Sequence, residues 1–160
     1  MKNLGLVLVP LALLAACGGG GTATASGGVS KADYLSRAEA ICTRANAEQA
    51  DVTTPTAVSE LAPYVDRVVA LADQATRQIA DLEAPKADRS AIESKVLRPL
   101  AGQLAEHHAY ADKVSAAAKA GDQTALVTLL GSPPTGSRAD LAWMKGYGFV
   151  ACVKAADTSS

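Results

Sequence analysis

The chain has 160 residues, 49% of them hydrophobic, 19% charged and 4% aromatic. That mixture excludes a charge-rich disordered chain and a collagen-like one, and a formal net charge of −1 leaves no basic field for nucleic acid. With 34 Ala against one Phe and one Trp, composition favours helices over sheet.

The chain opens MKNLGLVLVPLALLAAC. Lys2 supplies a positive start, and residues 4–14 form an apolar run of 11 residues. A helix needs about 20 apolar residues to cross a bilayer core, so this run has the length of a secretory signal. Leu14-Ala15-Ala16-Cys17 resembles the lipobox of bacterial lipoproteins. The resemblance implies cleavage after residue 16, with a diacylglyceryl group on the Cys17 sulfur. The alternative is an ordinary signal peptide with a chance Cys at the cut. One acyl chain anchors only marginally, and two anchor stably. Residues 1–16 are therefore expected to be a signal peptide. Residues 17–29 are expected to be the lipidated Cys and a tether rich in Gly, Ser, Thr and Ala. Eleven such residues reach roughly 17–20 Å, which holds a folded domain near the extracytoplasmic face of the membrane.

The remaining cysteines fit that address. Three Cys are present, Cys17, Cys42 and Cys152, and an odd count in an exported chain needs a reason. If lipid takes Cys17, then Cys42 and Cys152 are left to pair outside the reducing cytosol.

From Ser30 the apolar spacing is helical throughout. Ser30 and Asp33 form a capping-box-like start. Tyr34, Ala38, Ile41, Cys42, Ala45 and Ala47 then follow at mostly three- and four-residue spacing to about Asp51. Thr53-Thr54-Pro55 breaks the chain. A second stripe, Val58 to Leu82, is interrupted by Pro63, which predicts a short piece and a longer one, or a kink. A third helix is expected over about 86–119, kinked or split near Leu97 because Pro99 lies inside it. Gly121 is a natural stop, and a short helix follows over 124–130. Residues 131–136 read as a loop. One last helix is expected over about 138–155, weakened by Gly146 and Gly148, whose presence indicates close helix contact or a bend. Residues 157–160 should fray. The sum is an all-α, four-helix-bundle-like domain over 30–156, pinned by one disulfide.

Several short patterns occur in order: Tyr34-x-x-x-Ala38-x-Ala40-Ile41-Cys42, Leu82-x-Ala84-Pro85, Ala120-Gly121-Asp122 and Tyr147-Gly148-Phe149-x-x-Cys152. Together they resemble a group of small exported proteins and lipoproteins of actinobacteria of unassigned function. The resemblance implies a disulfide-pinned helical domain and carries over no catalytic residue.

Candidate chemistry is sparse. Glu106-His107-His108 with Tyr110 and Asp112 is the one cluster suited to a metal. His108 and Asp112 share a helix face at i and i+4. His107 points about 100° away from His108, no Glu-x-x-His pair is present, and a third ligand is not evident. No nucleophile-elbow sequence frames a Ser, Cys42 and Cys152 lack Cys-x-x-Cys spacing, and no phosphate loop occurs. The chain is therefore expected to be no enzyme and to carry no cofactor. Trp143 and Tyr147, also i and i+4, form a candidate interaction surface, although such a pair more often packs into the bundle. The expected partners are the membrane, through lipid on Cys17, and an envelope protein or a small ligand.

Overall fold

A computed structural model describes residues 28–134 and 138–157. Residues 1–16, expected to be a signal peptide, residues 17–27 of the tether expected over 17–29, and positions 135–137 and 158–160 lie outside the described residues. Of the described residues 77% are helical and none forms a strand.

Helix α1, Lys31–Ala50, is capped as its sequence indicates: the Ser30 hydroxyl accepts from Asp33 N–H at 3.1 Å. The Ser30 hydroxyl in turn donates to Asp33 Oδ2 at 2.7 Å. Tyr34, Ala38 and Cys42 form its buried stripe, whereas Ala47 is exposed.

A 3-10 turn, Val58–Glu60, leads into α2, Leu61–Ala80. Pro63 sits in the first turn of α2, where a missing N–H has no helical partner to lose, so the helix is uninterrupted there. The turn is held by Glu60, whose carboxylate accepts from Thr56 and Ala57 N–H at 2.8 and 3.2 Å.

The third helix, α3, begins three residues later than its stripe indicates. It comprises Arg89–Ile92, a π-helical stretch Glu93–Leu97, and Arg98–Ala120. Pro99 follows the π stretch in the first α turn, so the expected disturbance near Leu97 is a change of helical pitch. Pro99 has no N–H for the Lys95 carbonyl four residues back. That carbonyl instead accepts from Asp140 N–H at 2.9 Å. Gly121 ends α3 at φ 66°, with Asp122 N–H bonded to Ala117 O.

Asp122 caps α4, Gln123–Leu130, through Ala125 N–H at 2.9 Å. The single last helix expected from the sequence is two. α5 is Leu141–Tyr147 and α6 is Val150–Asp157, broken at Gly148. Gly148 has φ 120°, and a Cβ there would lie 2.9 Å from Leu35 Cδ1. The break and the close contact thus fall on one glycine, while Gly146 has open space around it.

α1 packs on α2 and on α6, α2 on α3, α4 on α3, and α5 on α6. The short pair α5–α6 takes the fourth position of the bundle. One core cluster joins Tyr34 and Ala38 of α1, Ile92 and Val96 of α3, Met144, Phe149 and Val153. Each large apolar side chain buried there contributes about 1.5–3 kcal/mol. A second cluster, Val114, Ala117 and Leu126, sits at the other end of α3 with Ala62 and Val65 of α2 against it. The Cys42–Cys152 disulfide fixes α6 to α1 with Cα atoms 5.0 Å apart. Asn46 Nδ2 donates to Ala151 O at 3.0 Å, and Glu39 accepts from Ala151 N–H at 2.6 Å, on either side of that bond.

Candidate functional site

Four of the six aromatic residues converge where α5 meets the start of α1 and α3. Asp140 caps α5 by accepting from Trp143 N–H at 2.9 Å, and the helical spacing then places Trp143 and Tyr147 on one face. Their rings stack at 4.7 Å between centroids and 16° between planes. Tyr147 stacks in turn on Phe149 at 5.5 Å, and Phe149 meets Tyr34 edge-on at 6.1 Å and 87°.

The inner members of this chain are core: Phe149 is 0% and Tyr34 1% exposed. Trp143 and Tyr147 are half-buried and pack against the first core cluster. Their outer sides meet cations, Lys31 Nζ at 3.9 Å from the Tyr147 ring centre and Lys95 Nζ at 5.7 Å from that of Trp143. The Tyr147 hydroxyl donates to Asp88 Oδ2 at 2.7 Å. Burial, and then the Asp88 carboxylate, push the Tyr147 phenol above its ordinary range, so it remains a donor. The structure therefore brings the two candidate residues together at the edge of the core. Lys31, Asp88 and Lys95 are the contacts that sequence reasoning missed. Each lies far from α5 in the chain, and no local spacing joins them to it.

The histidine cluster divides differently. Glu106 is paired with Arg138 at 2.7 Å. The Tyr110 hydroxyl donates to Leu129 O at 3.3 Å, tying α3 to α4, and burial raises its phenol above the ordinary range. His107 is half-buried, and burial lowers its imidazole from the usual value, with the neighbouring His108 acting in the same direction and Glu106 opposing. His108 and Asp112 are exposed and do share a face. They line a shallow groove of about 390 Å³ between α2 and α3, with Asp66, Asp73 and Arg77 across it. Arg77 is bonded to Asp73 at 2.7 Å. Among the described residues no three His, Cys, Asp or Glu side chains are grouped to hold a metal ion.

No described helix is long and apolar enough to cross a membrane. Comparison with protein-family models, curated proteins and solved structures finds no match.

Proposed function

We propose that the protein is a membrane-anchored, extracytoplasmic helical lipoprotein that acts by binding or scaffolding at the cell envelope, without catalysis. The observation that carries the reading is the Cys42–Cys152 disulfide. Structural disulfides persist in oxidising compartments and are rare in the cytosol. With that pair bonded, Cys17 is the one cysteine left, and it stands at the end of the lipobox-like Leu14-Ala15-Ala16-Cys17. Trp143 and Tyr147, half-buried and held rigid by stacking and by Asp88, together with the Lys31 and Lys95 ammoniums over their rings, form the binding edge of this reading. Detergent-phase partition tests the anchor. The wild-type chain is expected in the detergent phase and Cys17→Ser in the aqueous phase. Equal partition of the two sinks the reading.

A second reading, a small-ligand or metal-binding envelope protein, draws on the groove that His108 and Asp112 share. Zn²⁺ titration by calorimetry tests its metal-binding form: binding lost in His108→Ala supports that form, and no heat of binding in the wild type removes it.

A further inference from the structure

We propose that the edge formed by Lys31, Lys86, Lys95, Trp143 and Tyr147 docks on an anionic lipid surface. The inference rests on the reading that Cys17 carries lipid, and it names the partner of the binding edge. The place where the chain enters the domain sets this edge beside the anchor. Val29 packs against the first core cluster, so the entry point is fixed. A Cβ at Gly28 would lie 3.7 Å from Lys86 Cε, so the chain enters along the Lys86 stem. Lys31, three residues on, lies over the Tyr147 ring, and Asp88, two residues beyond Lys86, holds the Tyr147 hydroxyl. With eleven residues reaching roughly 17–20 Å from Cys17, the tether presents this edge to the bilayer ahead of the rest of the domain.

The side chains suit a headgroup layer. Trp and Tyr favour the membrane–water interface, where an apolar ring and a polar tip are both served. Lys31 and Lys86 are exposed and enter no ion pair among the described residues. The neighbouring carboxylates are engaged: Asp88 accepts from Tyr147, Asp140 from Trp143 N–H and Lys95, and Asp33 from Ser30. Glu83 and Arg89, both exposed in the segment that holds Lys86, offset one another. A few ammoniums attract an anionic leaflet only weakly and in a salt-dependent way. On a chain already held by lipid, however, docking is an intramolecular step at high effective concentration. The anchor and the edge then act as two signals, one fixing the protein to the membrane and the other fixing its orientation.

Trp143 is the single tryptophan, so its emission reports on this edge alone. The mature chain purified from cells is added to vesicles of phosphatidylcholine, or of phosphatidylcholine with one third phosphatidylglycerol, whose acyl chains carry bromine near the headgroup. Flotation is read beside quenching. The expected result is Trp143 quenching several-fold stronger with phosphatidylglycerol than without it, and weakened by high salt. The double variant Lys31→Glu, Lys86→Glu should fall to the phosphatidylcholine level with unchanged circular dichroism, since an acid in the first turn of α1 suits the helix dipole. Equal quenching on the two vesicles overturns the proposal, as does quenching that the double variant leaves unchanged. Absence of quenching on both assigns the edge to a different partner and also overturns it. Flotation with neutral vesicles reports the anchor separately. A chain that floats without phosphatidylglycerol-dependent quenching keeps the anchor and loses the docking, and the reverse pattern loses only the anchor.

Discussion

Lys95 and Asp140 meet twice: the Lys95 carbonyl accepts Asp140 N–H at 2.9 Å, and the Lys95 ammonium donates to Asp140 Oδ2 at 3.0 Å. The first contact uses the carbonyl that Pro99 cannot serve. The second leaves the other carboxylate oxygen to cap α5. One residue pair thus docks the aromatic helix onto the π stretch of α3.

Asp140→Ala is expected to lower the melting temperature by about 4 °C through loss of the cap. Asp140→Asn should keep most of the stability, because an amide oxygen caps as well and the exposed ion pair contributes little. Thermal melts of the three proteins decide this; equal losses in Ala and Asn variants would shift the weight to the ion pair. The Asp140 carboxyl is held below its ordinary range, first by Trp143 N–H and then by Lys95. Its stabilisation is therefore fully present above the unfolded value near pH 3.9 and is lost as pH falls through the lower folded value. Melts of wild type and Asp140→Ala across acid pH should converge there.

Two glycines on the last segment predict opposite outcomes. Gly148→Ala puts a side chain at φ 120° and 2.9 Å from Leu35 Cδ1, so a loss of about 1–3 kcal/mol is expected. Gly146→Ala lies inside α5 with nothing within 4 Å, and a gain of up to about 1 kcal/mol is expected. Urea denaturation measures both, and a stabilised Gly148→Ala would contradict the close-contact account.

The disulfide spans a sequence separation of 110. The chain-entropy model assigns a loop of that size about 4.7 kcal/mol, an upper figure because a reduced chain retains structure. Cys42→Ser should lower the melting temperature by many degrees, and adding Cys152→Ser should cost little more, since the two act as a unit. Additive losses would show that each thiol has a separate packing role.

His107 gives a pH dependence of its own. Burial holds its imidazole below the ordinary value, so the folded state disfavours the charged form. Its stabilising contribution is complete above the unfolded value near pH 6.5 and falls as pH drops through the lower folded value. His107→Gln should flatten the melting temperature between about pH 7 and 5, a slope that persists in the variant if other groups set it.

Much of the fold was legible because it rests on local signals. Ser30, Gly121 and Asp122 act at the ends where their chemistry places them, and the Tyr34-Ala38-Cys42 stripe is the buried face of α1. The division of the last helix was less legible, because a glycine's φ depends on a tertiary neighbour, here Leu35. The π stretch was hidden for the same reason: Pro99 marks a disturbance, but its form depends on Asp140, which lies on another element. At the candidate site, i, i+4 spacing gives the shared face of Trp143 and Tyr147, and the stacking of their rings is seen only in the structure. Lys31, Asp88 and Lys95 reach it only through the bundle, and no periodicity encodes that.

Mass spectrometry of the N-terminal peptide of the mature, cell-derived protein tests the membrane-anchor account most directly. The account predicts a chain that begins at Cys17 and carries a diacylglyceryl modification on its sulfur. A mature chain that retains residues before Cys17, or that begins there with an unmodified thiol, would contradict it.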